Sequence, residues 1–279
     1  MFSQLHELVN QNDLIFTDQY LNHAGKCETC FYHKSSLIFK SDFWRGEYQK
    51  SLLRTKISGK KITLLLGHSD KLIASKVYFV SRLKGFHSTW SVNAKPFRNN
   101  LYSIPLGLSN PTMECPLHEI SGDIDLLLES LKFGDYEFEF NPNYYVNFTV
   151  ATNPIERQFV IDVLKRIGVK SFNQKFDRGG RLDYLKGIRQ STFVICPEGN
   201  GVDTHRLWET LYLGRIPIIK NNLAISSLIS DLPVLVVNDW NELLDQNLVK
   251  EKYTSLRKRE FDFKKLSASY WIGRFCKSI

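Results

Sequence analysis

The sequence predicts an α/β fold built on parallel strands, and three observations carry that expectation. Short apolar runs recur at 13–17, 36–39, 60–66, 193–195, 216–219 and 233–237, continuous as in strands covered on both faces. Polar residues gather just past two of these runs, at Gly67-His68-Ser69-Asp70 and at Pro197-Glu198-Gly199-Asn200-Gly201, where parallel sheets bind ligands. Residues 192–220 form a unit of strand, glycine loop, helix and strand, which is half of a nucleotide-binding α/β fold.

Along the chain, 13–17 and 36–39 read as buried strands with a Cys/His loop between them, and 60–66 as a stronger strand. A helix or edge segment is expected over 71–84, then Trp90, Asn93 and a strand running into a turn at 102–108. A helix is expected at 124–131 within the crossing between two halves. Residues 143–150 alternate, are rich in aromatic and β-branched side chains, and should open a second sheet. The helix after it is capped by Asn153, carries Pro154 at its first position and stops at Gly168. Residues 172–177 suggest another strand end, followed by a loop at Arg178-Gly179-Gly180-Arg181 and a helix to about Arg189. After the central unit come a short helix at 223–230, a strand at 233–237, a helix at 240–248 and one or two basic helices over 249–279.

The central loop suits a phosphate. Gly199 and Gly201 allow close backbone approach, and a helix opening behind Asp203 or Thr204 offers free N–H groups and the positive end of its dipole. His205, Arg206 and Glu209 converge there: Arg206 in the first turn can reach phosphate oxygens, and Glu209, three residues on, can accept from ribose hydroxyls. The alternative is an ordinary surface ion pair on a helix. Arg157, early in the helix after the first strand of the second sheet, is a further diphosphate candidate or a solvent-facing arginine. Glu198, beside the phosphates, would orient sugar hydroxyls.

The stretch Pro-Glu-Gly-Asn-Gly-x-Asp-Thr-His-Arg-x-Trp-Glu-x-Leu-x-x-Gly-x-Ile-Pro-Ile at 197–218 resembles the donor-binding motif of exostosin-like glycosyltransferases, including small enzymes of large algal DNA viruses. The stretches around His68-Ser69-Asp70, Trp90 to Asn93 and Ile104-Pro105-Leu106-Gly107 resemble the acceptor side of the same family more weakly. The resemblance implies a GT-B fold, two Rossmann-like domains with a nucleotide-sugar cleft between them. On that basis 1–140 is expected to be the acceptor-side domain, 141–265 the donor domain, and 266–279 a helix crossing back to the first domain. It also implies that Arg206 and Glu209 serve the donor diphosphate and ribose.

Composition narrows the function without choosing it. Of 279 residues 43% are hydrophobic, enough to furnish a full core. The net charge of +8 suits an anionic ligand, nucleic acid or an acidic membrane face. The basic runs lie near 250–265 with no nucleic-acid motif and read as solvated helix faces, so no nucleic-acid partner is expected. Neither a signal-peptide pattern nor a run of about eighteen apolar residues is present, so the expectation is a protein without a transmembrane segment, in the cytoplasm, that of the host if viral. Five cysteines, an odd count, fit a reducing compartment. His23, Cys27, Cys30 and His33 have zinc-ligand chemistry but crowd into one short stretch, and ordinary loop or core cysteines are the competing reading.

Together these lead to an expected metal-independent, inverting sugar transfer from a nucleotide sugar, with UDP-xylose the first donor guess and a glycan or glycoprotein as acceptor. Fixed cationic and N–H donors would take the place of a metal, and no cofactor beyond the donor is expected. Asp70 is the first choice for the base that deprotonates the acceptor and His68 the second, although Asp70 would equally suit a helix cap. A non-catalytic nucleotide- or glycan-binding protein with a degenerate GT-B fold is the alternative.

Overall fold

The computed structural model describes residues 13–16, 36–40, 61–66, 86–95, 101–110, 120–133, 142–172 and 177–277. Within them the chain is α/β with two parallel sheets. The first runs β1 (Ser36–Lys40), β2 (Lys61–Leu66), β3 (Phe86–Ser91), β4 (Leu101–Ser103), each strand beside the next. The second runs β5 (Tyr144–Tyr145), β6 (Phe193–Ile195), β7 (Ile216–Lys220), β8 (Leu235–Val237). The helices are α1 (Ile124–Leu131), α2 (Pro154–Arg166), α3 (Arg178–Arg189), α4 (His205–Tyr212), α5 (Leu223–Ile229), α6 (Gln246–Arg257) and α7 (Ala268–Lys277).

The second sheet is buried on both faces, which is why its strands read as continuous apolar runs. Tyr144, Phe193, Ile195, Ile218, Leu235 and Val237 point to a core closed by α2, α6 and a 3₁₀ turn at Trp240–Leu244. Tyr145, Val194, Cys196 and Ile219 point the other way, into a core shared with α3, α4, α5 and α7 and with Leu14, Ile15, Trp90 and Ile104 from the first half. One apolar cluster therefore runs between the two sheets. Its largest members, Trp90, Trp208 and Trp271, are all essentially inaccessible.

Caps set the helix ends as their residue types dictate. Asn153 accepts from Glu156 N ahead of Pro154, and Gly168 ends α2 at φ +76°. Asp123 caps α1 by accepting from the Asp125 and Leu126 amides, and it also pairs with Arg178 of α3. Gly214, at φ +67°, stops α4.

Several elements differ from expectation. Phe86–Ser91 is a strand that its Ser- and Thr-rich sequence conceals. The segment 13–16 forms a single parallel bridge, Phe16 to Leu108, rather than a strand of the sheet. The helix expected over 240–248 is two pieces: Asp239 caps the 3₁₀ turn, and Asp245 breaks from helical geometry to cap α6 afresh. Residues 67–70, 71–84 and the Cys/His loop lie outside the described residues.

Candidate functional site

Two loops part company at the carboxyl end of the second sheet. Asn143 O accepts from Phe193 N, so residue 143 faces β6; strand geometry turns residue 146 to the opposite edge. There Val146 O accepts from Phe172 N at 2.7 Å. The chain thus leaves β5 through α2, returns on the outer side of β5 at residue 172, and crosses back through α3 to β6. Chain order reverses between β5 and β6, and the loops after them lead to α2 and α4 on opposite faces of the sheet. A crevice at such a reversal is the ligand site of open α/β sheets.

Arg157 bridges the loops that follow β5 and β6. Its Nε donates to Glu198 O at 2.9 Å and one Nη to Thr149 O at 2.7 Å, tying both loops to α2. Gly199 is packed beneath it: a β-carbon there would lie 2.8 Å from the guanidinium. The Arg157 guanidinium stands 5.3 Å from the Phe148 ring centroid, and that of Arg206 stands 5.7 Å from the same ring. Burial, and next the charge of Arg206, push the pKa of Arg157 down to about 10. It remains a cation at neutral pH.

Arg206 opens α4, whose N-cap Thr204 makes no side-chain capping bond, so the first-turn amides are not occupied by the usual cap. The Nε of Arg206 is enclosed and has no hydrogen-bond partner among the described residues, and neither has the Nε of Arg181. The guanidinium of Arg206 lies 6.0 Å from the Tyr184 ring centroid, and that of Arg181 lies 5.0 Å from it. Each of the three guanidinium groups thus lies against an aromatic ring, a contact that favours a cation.

Glu209 is placed differently from its expected role. It is buried at 3% exposure, and its two oxygens accept from Arg181 Nη2 at 2.6 Å and Tyr184 Oη at 2.7 Å. Burial would raise its pKa, but Arg181 and Tyr184 outweigh it and hold the carboxylate ionised below its ordinary value. It is buried and ion-paired to Arg181, and its charge also acts on Arg206, so it is not an exposed surface pair and both of its oxygens are already engaged. Arg181 and Tyr184 were not singled out from the sequence, because their place beside Glu209 comes from the packing of α3 on α4.

The other loop residues divide between the crevice and the contact with the first sheet. Glu198 Oε1 accepts from Asn222 Nδ2 at 2.8 Å, while Asn200 is exposed and Gly199 N donates to Gly201 O at 2.9 Å. Asp203, at 4% exposure, does not face the crevice: its carboxylate accepts from Leu106 N and Trp208 Nε1, both at 2.7 Å, and its amide donates to Asn93 Oδ1 at 2.8 Å. His205 Nδ1 lies 2.8 Å from Gly107 O, a geometry in which Nδ1 carries the proton. Asn93 and residues 104–107 follow β3 and β4, so the carboxyl ends of both sheets meet at this loop. Asp70, His68 and the His23, Cys27, Cys30, His33 set lie outside the described residues. Among the described residues no cluster of three or more His, Cys, Asp or Glu is placed to hold a metal, and no helix is long and apolar enough to cross a membrane.

The chain matches no family model and no curated protein.

Proposed function

We propose that the chain is a glycosyltransferase of GT-B type that takes a nucleoside-diphosphate sugar in the crevice between β5 and β6. The observation that carries this reading is the excess of buried positive charge there: Arg157 and Arg206 both lie against Phe148, and the one carboxylate of Glu209, ion-paired to Arg181, is set among three arginines. Thr204 makes no side-chain capping bond at the start of α4, and the positive end of that helix dipole favours an anion beside Arg206. Such fixed donors stabilise the charge that develops on a departing diphosphate, the task a metal performs in other transferases. UDP-xylose is the first donor candidate, transfer is inverting, and a glycan or glycoprotein is the acceptor. The base is assigned to Asp70, with His68 second, on their position directly after β2.

A thermal-shift panel of UDP, GDP, CMP and their sugar conjugates, with Mn²⁺ or EDTA, tests the reading. One nucleoside diphosphate is expected to raise the melting temperature equally in EDTA, with a stabilisation of about 2.7 kcal/mol when ligand is a hundredfold above Kd. Arg206→Ala should abolish that shift while the protein stays folded. No shift with any nucleotide would overturn the proposal, and binding without transfer to any acceptor would identify a non-catalytic nucleotide-binding protein.

A further inference from the structure

A second concave region lies on the outer side of β5, between the segment 168–172 and the length of α3, with a volume of about 930 Å³. That is at the upper end of the roughly 300–1,000 Å³ typical of ligand clefts. Its wall contains none of the three arginines, although Tyr184 and Asp177 of the wall touch Arg181. We infer that this groove binds a neutral oligosaccharide.

Three features of the wall specify that chemistry. Phe172 is 52% exposed yet held in place, because one face of its ring stacks on Tyr145 at 5.4 Å and 22°. Tyr145 is seated in turn by Gly187, where any side chain would collide with its ring. A fixed aromatic ring with an open face is a platform for the apolar face of a sugar. Around it stand polar groups. Asn147 donates to Tyr145 Oη and Asn143 to Gln190 O, which orients both amides, and Asp183 lines the groove beside them. Finally, the charges of the wall balance, Asp177 and Asp183 against Lys170 and Lys186, in a chain whose net charge is +8. A nucleic acid or an acidic chain gains nothing here from long-range attraction. An extended peptide added to the edge of β5 is disfavoured because Phe172 N already occupies Val146 O.

The inference does not depend on a diphosphate in the crevice, and the test separates the two. Full-length protein is titrated calorimetrically with neutral tetrasaccharides of glucose, mannose, xylose and galactose, with a sulfated tetrasaccharide and an uncharged extended octapeptide alongside. At least one neutral tetrasaccharide should bind in the millimolar range or tighter. Phe172→Ala should weaken it about tenfold with an unchanged melting temperature, and Asp183→Asn severalfold. Arg206→Ala and saturating UDP should leave it unaltered. The inference is overturned if no neutral tetrasaccharide binds, if the peptide or the sulfated sugar binds in their stead, if both groove variants bind as well as the parent, or if UDP displaces the sugar.

Discussion

At the scale of single residues, Asp203 is the group whose surroundings leave a signature in solution. Its carboxylate is enclosed between the first sheet's loops and Trp208, and burial pushes its pKa up to about 7 against the hydrogen bonds from Leu106, Trp208 and Thr204. A carboxyl whose folded pKa exceeds the unfolded value of about 3.9 binds more protons folded than unfolded between the two. Its contribution to stability is therefore fully present below about pH 4, declines as pH rises towards about 7, and is constant above. Urea midpoints measured across that range should fall more steeply for the parent than for Asp203→Asn. At low pH the variant should carry a deficit of about 1–3 kcal/mol, because its amide nitrogen cannot accept from Leu106 or Trp208, and the gap should narrow as pH rises towards about 7. Parallel pH profiles for the two proteins would refute the assignment.

At the scale of elements, α3 packs against β5 with no room for an added side chain at Gly187. The β-carbon of Gly187→Ala would sit 2.3 Å from the Tyr145 ring, which is confined by Phe172 and Tyr184. The substitution should cost about 1–3 kcal/mol in urea unfolding, as overpacking does, and should loosen Phe172. The elements themselves were legible wherever local chemistry settles them. Asn153 and Asp239 each cap a helical segment, and the apolar runs at 193–195 and 216–219 lie in β6 and β7. Phe86–Ser91 was not legible, since its hydrogen bonds to neighbouring strands, and not its composition, make it a strand. The same divide runs through the site. The glycine loop and Arg206 announce themselves in sequence; the use of Glu209 by Arg181 and Tyr184 and the burial of Asp203 come from distant elements meeting.

At the scale of the whole molecule, the two sheets are held by polar nodes as well as by their common core. Tyr212 is the clearest: its hydroxyl accepts from Ile15 N at 2.9 Å and donates to Leu266 O at 2.7 Å, joining the early chain, α4 and the approach to α7. Tyr212→Phe leaves a buried amide and a buried carbonyl unmatched and should destabilise by about 1–3 kcal/mol. Because the apolar cluster is continuous, the loss should move one cooperative urea transition to a lower midpoint without changing its slope; two separate transitions would contradict the shared core. The start of α7 is bound to Asp13, whose carboxylate takes the amide and hydroxyl of Ser269 from 256 positions away, and Phe275 packs edge-on against Trp90 at 5.9 Å. Protein synthesis proceeds from the amino end, so the first sheet emerges from the ribosome long before the helix that completes its packing. That half must wait, its Trp90 face uncovered, until almost the whole described chain has been made.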